Sequence, residues 1–220
     1  IIKGGKVQTL VRGGVSNKGS VKYNTVTITG GEVTQDVYGG SLFMGSGEAK
    51  GNTVTINGSD VEVKGVYGGN TSGSGSATKN KVEIINVKKA SYVWGGYSND
   101  GDAGGDTAED GNTVIFKSGQ VGGIVGGYAN KTGKAAHNVV TMSGGNTEEV
   151  AGGYSWRGTA TDNEVTISGG KVAPLVELPE DSGWITYVFG GVVRGSGTGN
   201  VTGNKVTISG GEVTGQIYGG

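Results

Sequence analysis

The sequence predicts an all-β chain, a right-handed parallel β-helix (β-solenoid) of about eight coils with three sides, and three observations lead there. A motif of Asn, any residue, Val, any residue and an apolar residue recurs, starting at Asn24, Asn52, Asn80, Asn112, Asn138, Asn163 and Asn204. A Gly-Gly pair recurs at 13, 39, 68, 95, 126, 152, 190 and 219. Glycine takes 49 positions and proline only 2, while Val, Thr and Ile fill short alternating runs, a composition suited to many strands joined by turns. Self-similarity with a period of this length marks stacked coils, each touching mainly its neighbours.

The first strand of each coil follows the asparagine. In Asn24-Thr25-Val26-Thr27-Ile28-Thr29, alternation puts Asn24, Val26 and Ile28 on one face and the threonines on the other. The Val26 position is Val in every copy, and the Ile28 position reads Ile56, Ile84, Phe116, Met142, Ile167 and Ile208 in the others. Size varies there and polarity does not, as a core column requires. Inward asparagines at a corner are expected to hydrogen-bond the backbone and one another up the stack, with amidation or glycosylation as the other reading; Asn70-Thr71-Ser72 and Asn130-Lys131-Thr132 fit the acceptor pattern. The turn after this strand is Gly30-Gly31, matched by Gly144-Gly145, Gly169-Gly170 and Gly210-Gly211, where left-handed backbone favours glycine.

A second strand, Val33 to Val37 in the first full unit, is expected to close at the recurring Gly-Gly. Two places before that pair stand Val11, Val37, Val66, Val93, Ile124, Val150, Val188 and Ile217, all β-branched and expected inside. The place immediately before it reads Arg12, Tyr38, Tyr67, Trp94, Val125, Ala151, Phe189 and Tyr218. Where Val125 and Ala151 interrupt the aromatics, Tyr128 and Tyr154 follow the Gly-Gly instead, and Tyr97 does so one coil earlier. This stripe is either a stacked ladder covering the strand or a ligand-binding surface for sugars or peptides, with Tyr97, Tyr128 and Tyr154 as its candidate binding residues.

The third side, such as Met44 to Ala49, is expected to be irregular. Asparagine spacings run from 25 residues (Asn138 to Asn163) to 41 (Asn163 to Asn204), so loops absorb the variation. Coils about 4.8 Å apart give a rod of roughly 40 Å. The whole chain, 1–220, reads as one repeat domain. Ile1 to Arg12 aligns with the end of a unit and the chain stops at Gly219-Gly220, so a piece of a longer array is expected. The architectural rival is a trimeric left-handed β-roll, with each unit split into two shorter turns.

The units Asn24 to Val33 and Val37 to Ser41 resemble the Gly-rich repeats in passenger regions of large bacterial autotransporter adhesins, of the kind found in fusobacteria. The resemblance covers nearly the whole chain. It implies a secreted, surface-displayed solenoid, held to the outer membrane by a C-terminal barrel that this sequence does not contain, working as an adhesin or stalk. No catalytic residue is carried over by it.

Two insertions break the repeat. The longer, 173–187, holds both prolines with Leu175, Leu178 and Trp184, which either pack back on the solenoid or face a partner. The shorter, 99–111, carries Asp100, Asp102 and Asp106, oxygens enough for a calcium ion but without the spacing of an EF-hand loop or a Gly-rich calcium repeat, so that a solvated acidic loop is expected.

Net charge is −1, from 18 basic and 19 acidic residues, and no basic patch points to nucleic acid. No apolar run reaches the length of a membrane helix, and there is no cysteine. His137 is the one histidine, too few for a multi-His metal site. No cofactor is called for, and the chain reads as a non-enzymatic monomer whose partner is a host-cell surface protein or glycan. A glycan-active enzyme is the alternative, although the Glu32 column, read as Glu, Asp, Lys, Gln, Asn, Lys, Glu, mixes charges. Ice binding is a remote third: Thr27, Thr55, Thr141, Thr166 and Thr207 align, but Glu83 and Ile115 interrupt them.

Overall fold

A computed structural model describes residues 1–176 and 185–220, and it is a β-solenoid. Every strand pair is parallel, and each coil lies on the same segment of the next. Val26 is registered with Val54, Val54 with Val82, Val82 with Val114, and so on to Val206. Pairing one whole unit along the chain excludes the split into two shorter turns that a β-roll needs. The Gly-Gly strand has eight rungs, from Val11 through Val37, Val66, Val93, Ile124, Val150 and Val188 to Ile217, and therefore seven turns between first and last.

The core is the sum of the inward columns. Val54, Val82, Val114, Val140 and Val165 are fully buried, as are Ile28, Ile56, Ile84, Phe116, Met142 and Ile167. Beside them the asparagines form a continuous ladder. The Nδ2 of Asn52 donates to Oδ1 of Asn80 at 3.0 Å, Asn80 to Asn112 at 3.0 Å, Asn112 to Asn138 at 2.9 Å, and Asn138 to Asn163 at 2.9 Å. Each of these Oδ1 atoms also accepts the backbone N–H of the preceding asparagine, and each Nδ2 also donates to a carbonyl on the third side, such as that of Ala103 for Asn138 at 2.9 Å. Every polar group of a buried amide is thus satisfied by the coil on either side.

Four expectations need correction. The recurring Gly-Gly does not close its strand: Val37–Leu42 and Tyr187–Val193 run straight through it. Its first glycine is needed because the next coil's backbone lies against it and its second because the asparagine amide does: a Cβ on Gly126 would stand 2.4 Å from the Gly152 carbonyl oxygen, and one on Gly127 2.4 Å from Asn138 Nδ2. The other pair does require left-handed backbone, with φ of 91° at Gly31 and 76° at Gly145. The third side is irregular only in part: residues 44–48 form no strand, but the side ends on regular rungs, since Val21–Lys22, Ala49–Lys50, Ala77–Thr78, Ala103–Gly104, Ala135–Ala136, Ala160–Thr161 and Val201–Thr202 form a second parallel sheet.

That sheet also narrows the shorter insertion, because Ala103 pairs with Ala77 and Ala135 as a regular rung. The extra chain is the stretch after Gly104, with a 3-10 turn at Ala108–Asp110. Finally, Glu32 is registered with Glu62, not with Asp60, because Ile28 pairs with Ile56 and the chain takes two more residues from Ile56 to Glu62 than from Ile28 to Glu32.

The corner before the asparagine is left-handed in most coils. Tyr23, Lys79, His137 and Asp162 have φ of 54–58°, and Gly51 and Gly203 take the same place. His137 is therefore a corner residue of the stack. No helix among the described residues is long and apolar enough to cross a membrane.

Candidate functional site

The outward face of the Gly-Gly strand carries the aromatic stripe, and its sideways shift is real. Tyr38 stacks on Tyr67 and Tyr67 on Trp94, both at 4.6 Å between ring centroids. Tyr97 then meets Tyr67 and Trp94 edge-on at 6.1 and 6.4 Å and passes the stack across the Gly-Gly to Tyr128 (5.4 Å), which stacks on Tyr154 (4.5 Å). Phe189 and Tyr218 return to the first column at 5.4 Å. Arginines lie over the rings at two places: Arg12 over Tyr38 at one end, and Arg194, one coil short of Tyr218, at 5.4–5.8 Å from the ring centres of Tyr154, Tyr187 and Phe189. Burial pushes the Tyr38 and Tyr128 hydroxyls up to about 12, and it raises those of Tyr67, Tyr97 and Tyr154 as well, so all five remain neutral donors at physiological pH.

The shift leaves a dent. Val125 and Ala151 are buried where the neighbouring coils place large rings. The next column out reads Tyr92, Gly123, Glu149 and Tyr187 in register. Three strand spacings separate the two tyrosines, about 14 Å. Between them opens a hollow of about 220 Å³ lined by Tyr92, Gly122, Gly123, Glu148, Glu149, Ile185, Tyr187 and Arg194. The longer insertion leaves the stack at this edge: Thr147 pairs with Val172 and Glu149 with Tyr187, so residues 173–186 replace one residue, Glu148, of the previous coil. The Leu175 N–H donates to Glu148 Oε1 at 3.1 Å.

Glu149 is the unusual group. Its side chain is 33% exposed, its Oε1 lies 3.6 Å from Arg194 Nη2, and that oxygen has no hydrogen-bond donor among the described residues. Burial raises its carboxyl above the ordinary carboxylate value, with Arg194 opposing. On the other side of the Tyr128–Tyr154 stack, a second hollow of about 460 Å³ is lined by Tyr128, Asn130, Lys131, Thr132, Trp156 and Arg157.

Of the residues singled out in the sequence, Tyr97, Tyr128 and Tyr154 lie together on the stripe, and Leu175 lies half-buried beside Glu148. Leu178 and Trp184 lie outside the described residues. The carboxylates weighed for calcium, against a solvated acidic loop, turn to lysines: Asp100 pairs with Lys131 at 2.6 Å, while Asp102 and Asp106 both turn to Lys134. Among the described residues no three acidic or histidine groups gather as a metal site. Sequence reasoning missed Tyr92, Glu149, Tyr187 and Arg194. Their signal was faint, a column two places before the stripe that changes chemistry at nearly every coil.

Comparison of the chain with protein-family models, with curated proteins and with solved structures finds no match.

Proposed function

We propose that this chain is a non-enzymatic display segment, a stalk with one adhesive face, from the passenger of a secreted autotransporter anchored in the outer membrane. The observation that carries the reading is the aromatic stripe on the Gly-Gly strand: it runs the length of the rod, and where it shifts it leaves a hollow with a poorly paired carboxylate. Stacked coils supply stiffness, and one face supplies contacts to a host-cell protein or glycan. The repeat resemblance supports the surface location.

Glycan cleavage is the weaker reading. Glu32 and Glu62 do stand in register on adjacent coils, as a pair of catalytic carboxylates would. However, Lys6 pairs with Glu32 at 3.0 Å and Lys88 with Glu62 at 2.6 Å, and the hydrogen bond from Lys88 holds the Glu62 carboxyl below its ordinary value. A general acid needs the opposite shift. The test is saturable binding of the labelled chain to cultured host cells, run beside an assay for released reducing ends on polysaccharides. Binding without turnover is expected; turnover, or no binding to any cell type, overturns the reading.

A further inference from the structure

We propose that the hollow between Tyr92 and Tyr187 is a binding site for a neutral sugar, with Glu149 and Arg194 as its hydroxyl-recognising pair. The proposal rests on the adhesive-face reading and names the ligand class of that face.

Four features of the hollow agree. Its ends are tyrosine rings, Tyr92 being 54% exposed, and these offer apolar surface to the C–H face of a pyranose. Its floor is Gly122 and Gly123, flat enough for a ring to approach; a Cβ on Gly123 would meet nothing nearer than Tyr92 Cδ1 at 3.4 Å. Its polar groups are complementary, an acceptor carboxylate and a donor guanidinium 3.6 Å apart, which matches neighbouring hydroxyls that donate to one and accept from the other. Glu149 Oε1 is itself closed off from solvent and has no donor among the described residues, so a sugar hydroxyl that draws Arg194 inward, rather than one seated on that oxygen, supplies it with a partner.

Charge disfavours an anionic sugar here: Glu149 and Arg194 offset each other and Glu148 leaves the lining with a surplus negative charge, whereas the second hollow, beyond Tyr128, is lined by Lys131 and Arg157 and is the better place for an anionic sugar. Glu149 must be ionised to accept from a hydroxyl and to attract Arg194, so binding weakens as pH falls through its pKa, which burial raises above the ordinary 4.5.

The whole chain is titrated with cellotriose, N-acetylchitotriose and lactose as neutral probes and with sialyllactose as the anionic one. Variants Tyr187→Ala, Glu149→Gln and Trp156→Ala are compared, and thermal melting confirms folding. At least one neutral probe is expected to bind, about tenfold more weakly to Y187A and to E149Q and unchanged to W156A. E149Q keeps the shape and removes the charge, so its loss of affinity with an unchanged melting temperature is not a folding effect. Failure of every neutral probe overturns the proposal, and so does binding that Y187A and E149Q leave intact or sialyllactose binding abolished only by W156A. Cell binding by the same variants separates the two readings: adhesion that survives both substitutions removes the hollow as the site and leaves the adhesive stalk standing.

Discussion

The inward and outward faces of the Gly-Gly strand obey different rules. Inside, the Val37 column stays Val or Ile and the Gly-Gly columns stay Gly in every coil, and even the inward column that varies, Leu42, Thr71, Ser98, Ala129 and Ser155, holds only fully buried side chains in unbroken register. Outside, the aromatic stripe changes column at Tyr97 and changes back at Phe189 without disturbing the register beneath it. Hydrogen bonds and close packing fix an address; stacking on a surface fixes only a direction. The outward face is therefore where a coil can acquire chemistry of its own, and the hollow beside Glu149 lies where the stripe leaves its column.

Five substitutions or titrations press on this contrast. Asn138→Ala removes the acceptor for two donors of Asn112 and the donor for the Ala103 carbonyl, all buried. A loss of about 3–5 kcal/mol is expected in denaturant unfolding. Gly127→Ala drives a Cβ into the Asn138 amide and should cost about 2–3 kcal/mol in the same assay. Outside, Tyr128→Ala loses one stacked neighbour on each side and should cost only about 1–2 kcal/mol. A cost as large as that of N138A would erase the distinction between the faces.

Alkaline titration comes next. The folded state holds the Tyr38 and Tyr128 protons up to about 12, against 10.0 for an ordinary tyrosine. Folding stability from these groups is therefore full below pH 10 and is lost as pH rises from 10 through about 12, which melting curves across that range will show. The smallest effect is expected at the corners. His137→Gly relieves left-handed strain at φ 58° but loosens the unfolded chain, for a net gain of about 0.5 kcal/mol by calorimetry.

Much of the fold was legible because repetition turns one sequence into several aligned ones. The Val26, Ile28 and Val37 columns and the asparagine ladder follow from alternation and polarity alone. The Gly-Gly pairs were harder, since glycine serves both left-handed turns, as at Gly31, and close approach, as at Gly127; composition does not separate the two. The shorter insertion was drawn too wide because Ala103 keeps its rung inside it. The shift of the stripe could be read from Val125 and Ala151, but the hollow could not. Glu149 and Arg194 meet only because Thr147 pairs with Val172 and Glu149 with Tyr187 across an uneven spacing, and Tyr92 and Tyr187 face the same hollow only once the uneven coils are brought into register.

Gly123→Tyr tests the division of labour between the faces most directly, because its side chain enters the gap between Tyr92 and Glu149 while its backbone stays in register. The account predicts a melting temperature within the error of the unaltered chain and loss of neutral-sugar binding. Sugar binding retained with the hollow filled, or a stack that unfolds when only its outer face is altered, would contradict it.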